Sequence, residues 1–270
     1  SGRSDVTARS PSSSPFVDRV DRVRERLSAL GIDALMVSVG PDLPWLCGYE
    51  AMPLERLTML VVERDGPCTL VVPQLEAARV TARDHMVVRP WNEHEDPIEI
   101  VAGMVGSATR VAFGDRTWAR FLVEMYDRMP GTRFVRSNEV TGPLRAVKDE
   151  HEIAMLQRAG AAVDRIAGEL QTGAIALVGR TEAEVSAELG RRIVDGGHAR
   201  VNFAIVAAGA NAASPHHEAG ARVIIENEGV LCDFGGTMFD PWGVGYCSDI
   251  TRCVWTGDVP SDASEVYALL

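Results

Sequence analysis

The stretch Leu231-Cys232-Asp233-Phe234-Gly235-Gly236 is followed by Gly245-Tyr246-Cys247-Ser248-Asp249-Ile250-Thr251-Arg252. Each segment places one carboxylate, Asp233 or Asp249, in an apolar, β-prone run. The residues between them include Asp240-Pro241-Trp242-Gly243, which favours a bend. This pattern predicts a β-hairpin with both acids on one face, where they repel unless a cation sits between them. Carboxylates are hard ligands for Mn, Mg, Co or Zn, and two such ions about 3.5–4 Å apart form a common hydrolytic centre. Spacing alone leaves a plainer alternative open: Asp233 caps a turn and Asp249 pairs with Arg252.

A second cluster, Asn211-Ala212-Ala213-Ser214-Pro215-His216-His217, follows the small apolar run Ile205 to Ala210. Pro215 fixes the backbone just ahead of two loop histidines. His216 could donate to a developing oxyanion or move protons near neutral pH, although an exposed loop histidine reads as well. His217 reads as an exposed loop residue. His85, His94, His151 and His198 stand alone in helical or loop contexts and read as structural.

Outward from these clusters, the texture divides. Val17 to Leu30 is amphipathic, with Val20, Val23, Leu27 and Leu30 on one side and Gly31 closing it. Strand-like runs follow at 34–39, 58–62, 68–72, 86–88, 110–113 and 133–135, with helices in the gaps, notably 118–129. Residues 16–143 therefore predict an α/β domain with a mixed sheet. From 144 the reading changes. Asp149 with Glu152 and Thr181 with Glu184 are capping boxes, the first opening a helix whose apolar face is Ile153, Leu156, Val163, Ile166 and Leu170. Strands are expected at 201–207, 222–225, 230–233 and 246–255, so 144–270 predicts an α+β unit. Residues 1–15 are polar and Ser-rich and read as a disordered leader.

The formal net charge is −11, which argues against nucleic acid or anionic membrane as partners. No run reaches the roughly 18–20 apolar residues that span a bilayer. The five cysteines form no CxxC pair and predict reduced thiols in a cytoplasmic protein. Cys232, Cys247 and Cys253 read as small packing residues.

Taken together, these segments resemble the prolidase and aminopeptidase P family of pita-bread metallopeptidases. The resemblance rests on Phe203 to His217, Leu231 to Gly236, Gly245 to Arg252, and Leu144-Arg145-Ala146-Val147-Lys148-Asp149-Glu150-His151-Glu152-Ile153. It extends from about Phe16 onward, because those enzymes carry an N-terminal α/β domain before the catalytic α+β pita-bread domain. It implies hydrolysis of the bond between an N-terminal residue and proline, in a dipeptide or short peptide, by a homodimer. It implies two divalent ions, usually Mn, with Co, Zn or Mg possible, and a metal-bridging hydroxide. Asp233 then corresponds to a ligand of one ion, Asp249 to the ligand bridging both, and His216 to the histidine that contacts substrate and steadies the tetrahedral intermediate. Thr251 corresponds to a hydroxyl that orients Asp249.

Three departures stand out. The aspartates are sixteen positions apart, more than is usual in the family, and Cys253 stands where threonine is common. The family also needs a further histidine and two glutamates, whereas no histidine follows His217 and the only acids after Asp249 are Asp258, Asp262 and Glu265. The chain is thus expected to represent the first part of a pita-bread domain, incomplete at its C-terminus and inactive alone, with strands 230–233 and 246–255 lacking partners. The alternative is a non-catalytic pita-bread protein acting in peptide binding or protein interaction. Creatinase-like chemistry without metal fits poorly, because it has no use for paired acids.

Overall fold

The computed structural model describes residues 14–269. Most of the leader expected at 1–15 lies outside the described residues. The chain forms two compact units, one reaching to Val147 and including Pro241–Val244, the other comprising Lys148–Asp240 and the residues from Gly245 onward.

In the first unit, helix α1 (Phe16–Leu30) buries Val20, Val23 and Leu27, and Gly31 closes it at φ 62°, a conformation that costs glycine nothing. Strand β1 (Ala34–Val37) leads to α2 (Asp42–Cys47), then β2 (Met59–Glu63), β3 (Cys68–Pro73) and β4 (Val87–Trp91). Helix α3 (Pro97–Val105), β5 (Arg110–Phe113), α4 (Ala119–Arg128), β6 (Arg133–Arg136) and α5 (Asn138–Ala146) complete it. The strands form one mixed sheet in the order β4-β3-β2-β1-β5-β6, in which β1 runs antiparallel to β2 and parallel to β5.

Both faces of this sheet are covered. Leu35, Val37, Leu60 and Val62 join the core beneath α1, α2 and α5, while Ala34, Met36, Met59 and Val61 join the core beneath α3 and α4. Double burial explains why these strands read as unbroken apolar runs. The mixed sheet matches the expectation from sequence.

In the second unit, α6 (Glu150–Gln171) and α7 (Glu182–Asp195) both begin at the expected capping boxes, with side chain and backbone bonded reciprocally in each. Strands β7 (Arg200–Ala208), β8 (Gly229–Phe239), β9 (Gly245–Cys247) and β10 (Ile250–Trp255) follow, then a short α8 (Ser261–Tyr267). Strand β8 is central, antiparallel to β7 on one side and to β9 and β10 on the other. Strands 230–233 and 246–255 thus pair with each other, and β10 is an edge strand with β8 as its one neighbour among the described residues.

Two further expectations change. Residues 222–225 form no strand; Val223 makes a single bridge to Thr181, because the backbone here is bonded to the start of α7. The buried face of α6 is Met155, Ala159, Ala162, Val163, Ile166, Ala167 and Leu170, while Ile153 is exposed and Leu156 only half-buried. Ala159, Ala162 and Ala167 let the helix approach the sheet closely, while Ile153 in its first turn points outward.

Candidate functional site

The β8–β9–β10 pairing keeps one register from Phe239↔Gly245 to Gly229↔Trp255. Strand side chains alternate between faces, and directly opposed residues share one. Cys232 and Phe234, both wholly buried, face the core with Val206 and Ala208. Asp233 therefore faces the other way, with Ile205 across from it on β7 and Thr251 across from it on β10. Carried through Ser248 and Asp249, which lie between β9 and β10, the same register sets Asp249 across from Gly235, diagonal to Asp233 on that same face. Diagonal cross-strand neighbours lie about 7–8 Å apart between backbones, within reach of one shared cation. Asp233 is half-buried and Asp249 exposed.

Two glycines permit this placement. A Cβ at Gly235 would lie 2.1 Å from the Ser248 carbonyl oxygen and 3.2 Å from Asp249 Cα. One at Gly236 would lie 2.6 Å from the Arg200 carbonyl oxygen and 2.9 Å from His198 Cδ2. Only glycine fits at both, so the Phe-Gly-Gly sequence reflects close backbone approach.

Buried groups hold the bend carrying Asp249. The Ser248 amide donates to the Gly236 carbonyl (2.9 Å), and the Gly236 amide donates to Ser248 Oγ (3.2 Å). His198, 2 % exposed, places Nε2 2.8 Å from Ser248 Oγ and Nδ1 3.2 Å from the Ile193 carbonyl. A carbonyl only accepts, so the network assigns the proton to Nδ1, and Nε2 receives the Ser248 hydroxyl hydrogen. Burial pushes the His198 pKa down, which favours this neutral form. His198 is structural, as expected, but its connection to Asp249 through Ser248 has no signal in the sequence, because fifty residues separate the pair.

Thr251 does not orient Asp249. Its hydroxyl donates to Asp233 Oδ1 at 2.9 Å, as direct cross-strand opposition requires. Nor does Arg252 pair with Asp249; its guanidinium lies 3.9 Å from Asp164. Among the described residues no hydrogen bond or ion pair engages Asp249. Cys232 packs in the core, where burial pushes its thiol up to about 12. Cys247 and Cys253 are exposed and are not packing residues.

The loop from Gly209 to Ala221 begins where β7 ends. Ala208 pairs with Val230, three positions before Asp233, so the root of the loop lies about 10 Å along the sheet from that acid. His216 is exposed. His217, 20 % exposed, turns inward and places Nε2 2.8 Å from Glu182 Oε2. It is not the exposed loop residue expected.

No group of three or more His, Cys, Asp or Glu among the described residues is arranged to hold a metal ion. Asp233 and Asp249 suit one edge of an oxygen-rich centre, but two carboxylates do not complete a two-ion site. No helix among the described residues is long and apolar enough to cross a membrane.

Residues 19–147 match the Creatinase/Prolidase N-terminal domain, and residues 154–270 match metallopeptidase family M24. The chain is 36 % identical over 245 residues to a protein described as probable dipeptidase PepE from Mycobacterium tuberculosis, covering 89 % of this chain and 64 % of that relative. Among solved structures it is similar to dipeptidase PepE from Mycobacterium ulcerans (TM-score 0.85, 35 % identity, 94 % of this chain and 68 % of that one). A recombinant prolidase from Thermococcus sibiricus aligns with a TM-score of 0.83 at 25 % identity, over 95 % of this chain and 70 % of that one. The chain thus spans about two thirds of the length of these relatives.

Proposed function

The chain belongs to metallopeptidase family M24, and from that membership we propose that it serves hydrolysis of the bond between an N-terminal residue and proline in dipeptides or short peptides. The observation that carries the reading is the diagonal placement of Asp233 and Asp249 on the face of β8–β10 opposite α6 and α7. Among the described residues no cationic side chain pairs with either carboxylate, and two unneutralised like charges destabilise their neighbourhood, so their placement makes sense as ligand chemistry. The names of the dipeptidase and prolidase relatives support the substrate class.

In this proposal Asp233 and Asp249 are two of the ligands for a pair of divalent ions, manganese first among Mn, Co, Zn and Mg, and further donors complete the set. The Thr251 hydroxyl fixes one carboxylate oxygen of Asp233, leaving its other oxygen free. His216 contacts the substrate. The homodimer and the cytoplasmic setting belong to the same reading, the latter supported by five free thiols.

A second reading, peptide binding without cleavage, keeps the same face, where half-buried Phe203, Ile205 and Leu231 border the acids. Incubation with Xaa-Pro dipeptides, with and without Mn, separates the two. We expect metal-dependent release of free proline by the whole protein, abolished by Asp249→Ala. Undiminished hydrolysis by that variant, or peptide binding with no proline released under any divalent ion, would overturn the enzymatic reading.

A further inference from the structure

Helix α7 opens with a glutamate whose surroundings the capping box does not require. Thr181 and Glu184 already form the box, yet the Glu182 side chain between them is fully buried. Its Oε1 accepts from the Ala208 amide (2.8 Å) and Asn211 Nδ2 (2.9 Å). Its Oε2 accepts from His217 Nε2 (2.8 Å) and the Gly220 amide (3.3 Å). The same helical turn also holds the loop through its backbone: the Glu182 amide donates to the Arg222 carbonyl (3.0 Å) and the Ala183 amide to the Gly220 carbonyl (3.0 Å). One helix start therefore grips both ends of the loop and, through His217, its middle.

We propose that Glu182 and His217 are positioning residues that fix the 209–221 loop so that His216 is presented at the open face beside Asp233 and Asp249. This rests on the reading of His216 as the group that meets substrate. Adjacent residues divide the work: His217 turns inward to the carboxylate, while His216 remains exposed. A carboxylate accepts only, so His217 carries a proton on Nε2. Burial raises the Glu182 pKa, but its amide, Asn211 and His217 donors outweigh this and hold it at about 2. The carboxylate is therefore ionised near neutral pH, and the α7 dipole favours that form further.

A purely structural glutamate would support the fold without acting through His216, and a double-mutant cycle distinguishes the two. In the whole protein with a Xaa-Pro dipeptide, His217→Ala is expected to lower kcat/KM about tenfold or more, and His217→Asn, which keeps a donor, to recover most of it. In a His216→Ala background the same change should cost less than about twofold. Equal losses in both backgrounds would overturn the proposal.

Hydrogen exchange gives a readout independent of activity. Glu182→Gln should speed exchange at the Ala208 and Gly220 amides by about tenfold while the β8 amides stay protected. Unchanged exchange at both amides would also overturn it. A protein that cleaves no dipeptide defeats the functional reading instead, and the exchange experiment still decides whether Glu182 holds the loop.

Discussion

The two sheets of this protein treat their faces differently. The six-stranded sheet of the first unit is roofed on both sides, by α1, α2 and α5 on one and by α3 and α4 on the other. The β7–β10 sheet of the second unit buries only the face toward α6 and α7. Its other face carries Asp233, Asp249, Thr251 and Cys253 among half-buried apolar residues. Where both faces are covered, every strand position is constrained by packing. In the second sheet the positions that do not pack against α6 and α7 are released from that demand, and Asp233, Asp249 and Thr251 occupy them.

The largest test of this contrast is truncation on either side of one strand. Phe234 is wholly buried, so Phe234→Ala should cost about 3–5 kcal/mol through lost burial and a residual cavity. Leu231, on the open face, should cost about 1 kcal/mol when changed to Ala, because water already reaches it. In the first unit both sides should be expensive: Leu35→Ala and Met36→Ala, one toward each core, should each cost about 2–5 kcal/mol. Chemical denaturation of the four variants measures this. Equal losses for Phe234 and Leu231 would remove the contrast.

Acid should separate the units next. Glu182 has its pKa lowered from 4.5 to about 2. Because the folded value is the lower one, its contribution is full above the unfolded pKa and is lost as pH falls from about 4.5 toward 2. At about 1.4 kcal/mol per pKa unit, the full loss is about 3.5 kcal/mol. Asp33, Asp96 and Asp115 of the first unit are also held low, their hydrogen bonds and neighbouring arginines outweighing burial. Their arginine pairs range from half-buried to exposed, so each contributes about 0–1 kcal/mol and weakens with salt. Thermal melts from pH 7 to pH 2 at low and high salt should show an acid limb that Glu182→Gln flattens and salt does not. A limb unchanged by Glu182→Gln would assign acid sensitivity elsewhere.

What the sequence discloses follows from how local each feature is. The capping boxes of α6 and α7 lie within four residues, and both form. The apolar runs of the first sheet are legible because double burial leaves no polar interruption. The hairpin placing Asp233 and Asp249 on one face follows from strand parity. What escapes reading joins distant segments: Glu182 to His217, His198 to Ser248, and Thr251 to Asp233 instead of Asp249. The 222–225 run has strand composition, but its backbone bonds are taken by the first turn of α7. On α6, helical period alone could not tell that alanines would meet the sheet while Ile153 turned outward.

The smallest expected effect bears most directly on the open face. Asp249 is exposed, and among the described residues nothing bonds to it, so Asp249→Asn removes no contact that holds the fold. It also removes a negative charge diagonal to Asp233. The unfolding free energy without added metal should therefore stay within about 0.5 kcal/mol of the unaltered protein, with any change toward greater stability. Added divalent metal should raise the melting temperature of the unaltered protein more than that of the variant, because a ligand stabilises only the state that binds it. A loss of several kcal/mol without metal would instead give Asp249 a packing or hydrogen-bonding role. The two sheets would then differ in how they are covered but not in what their exposed positions are for.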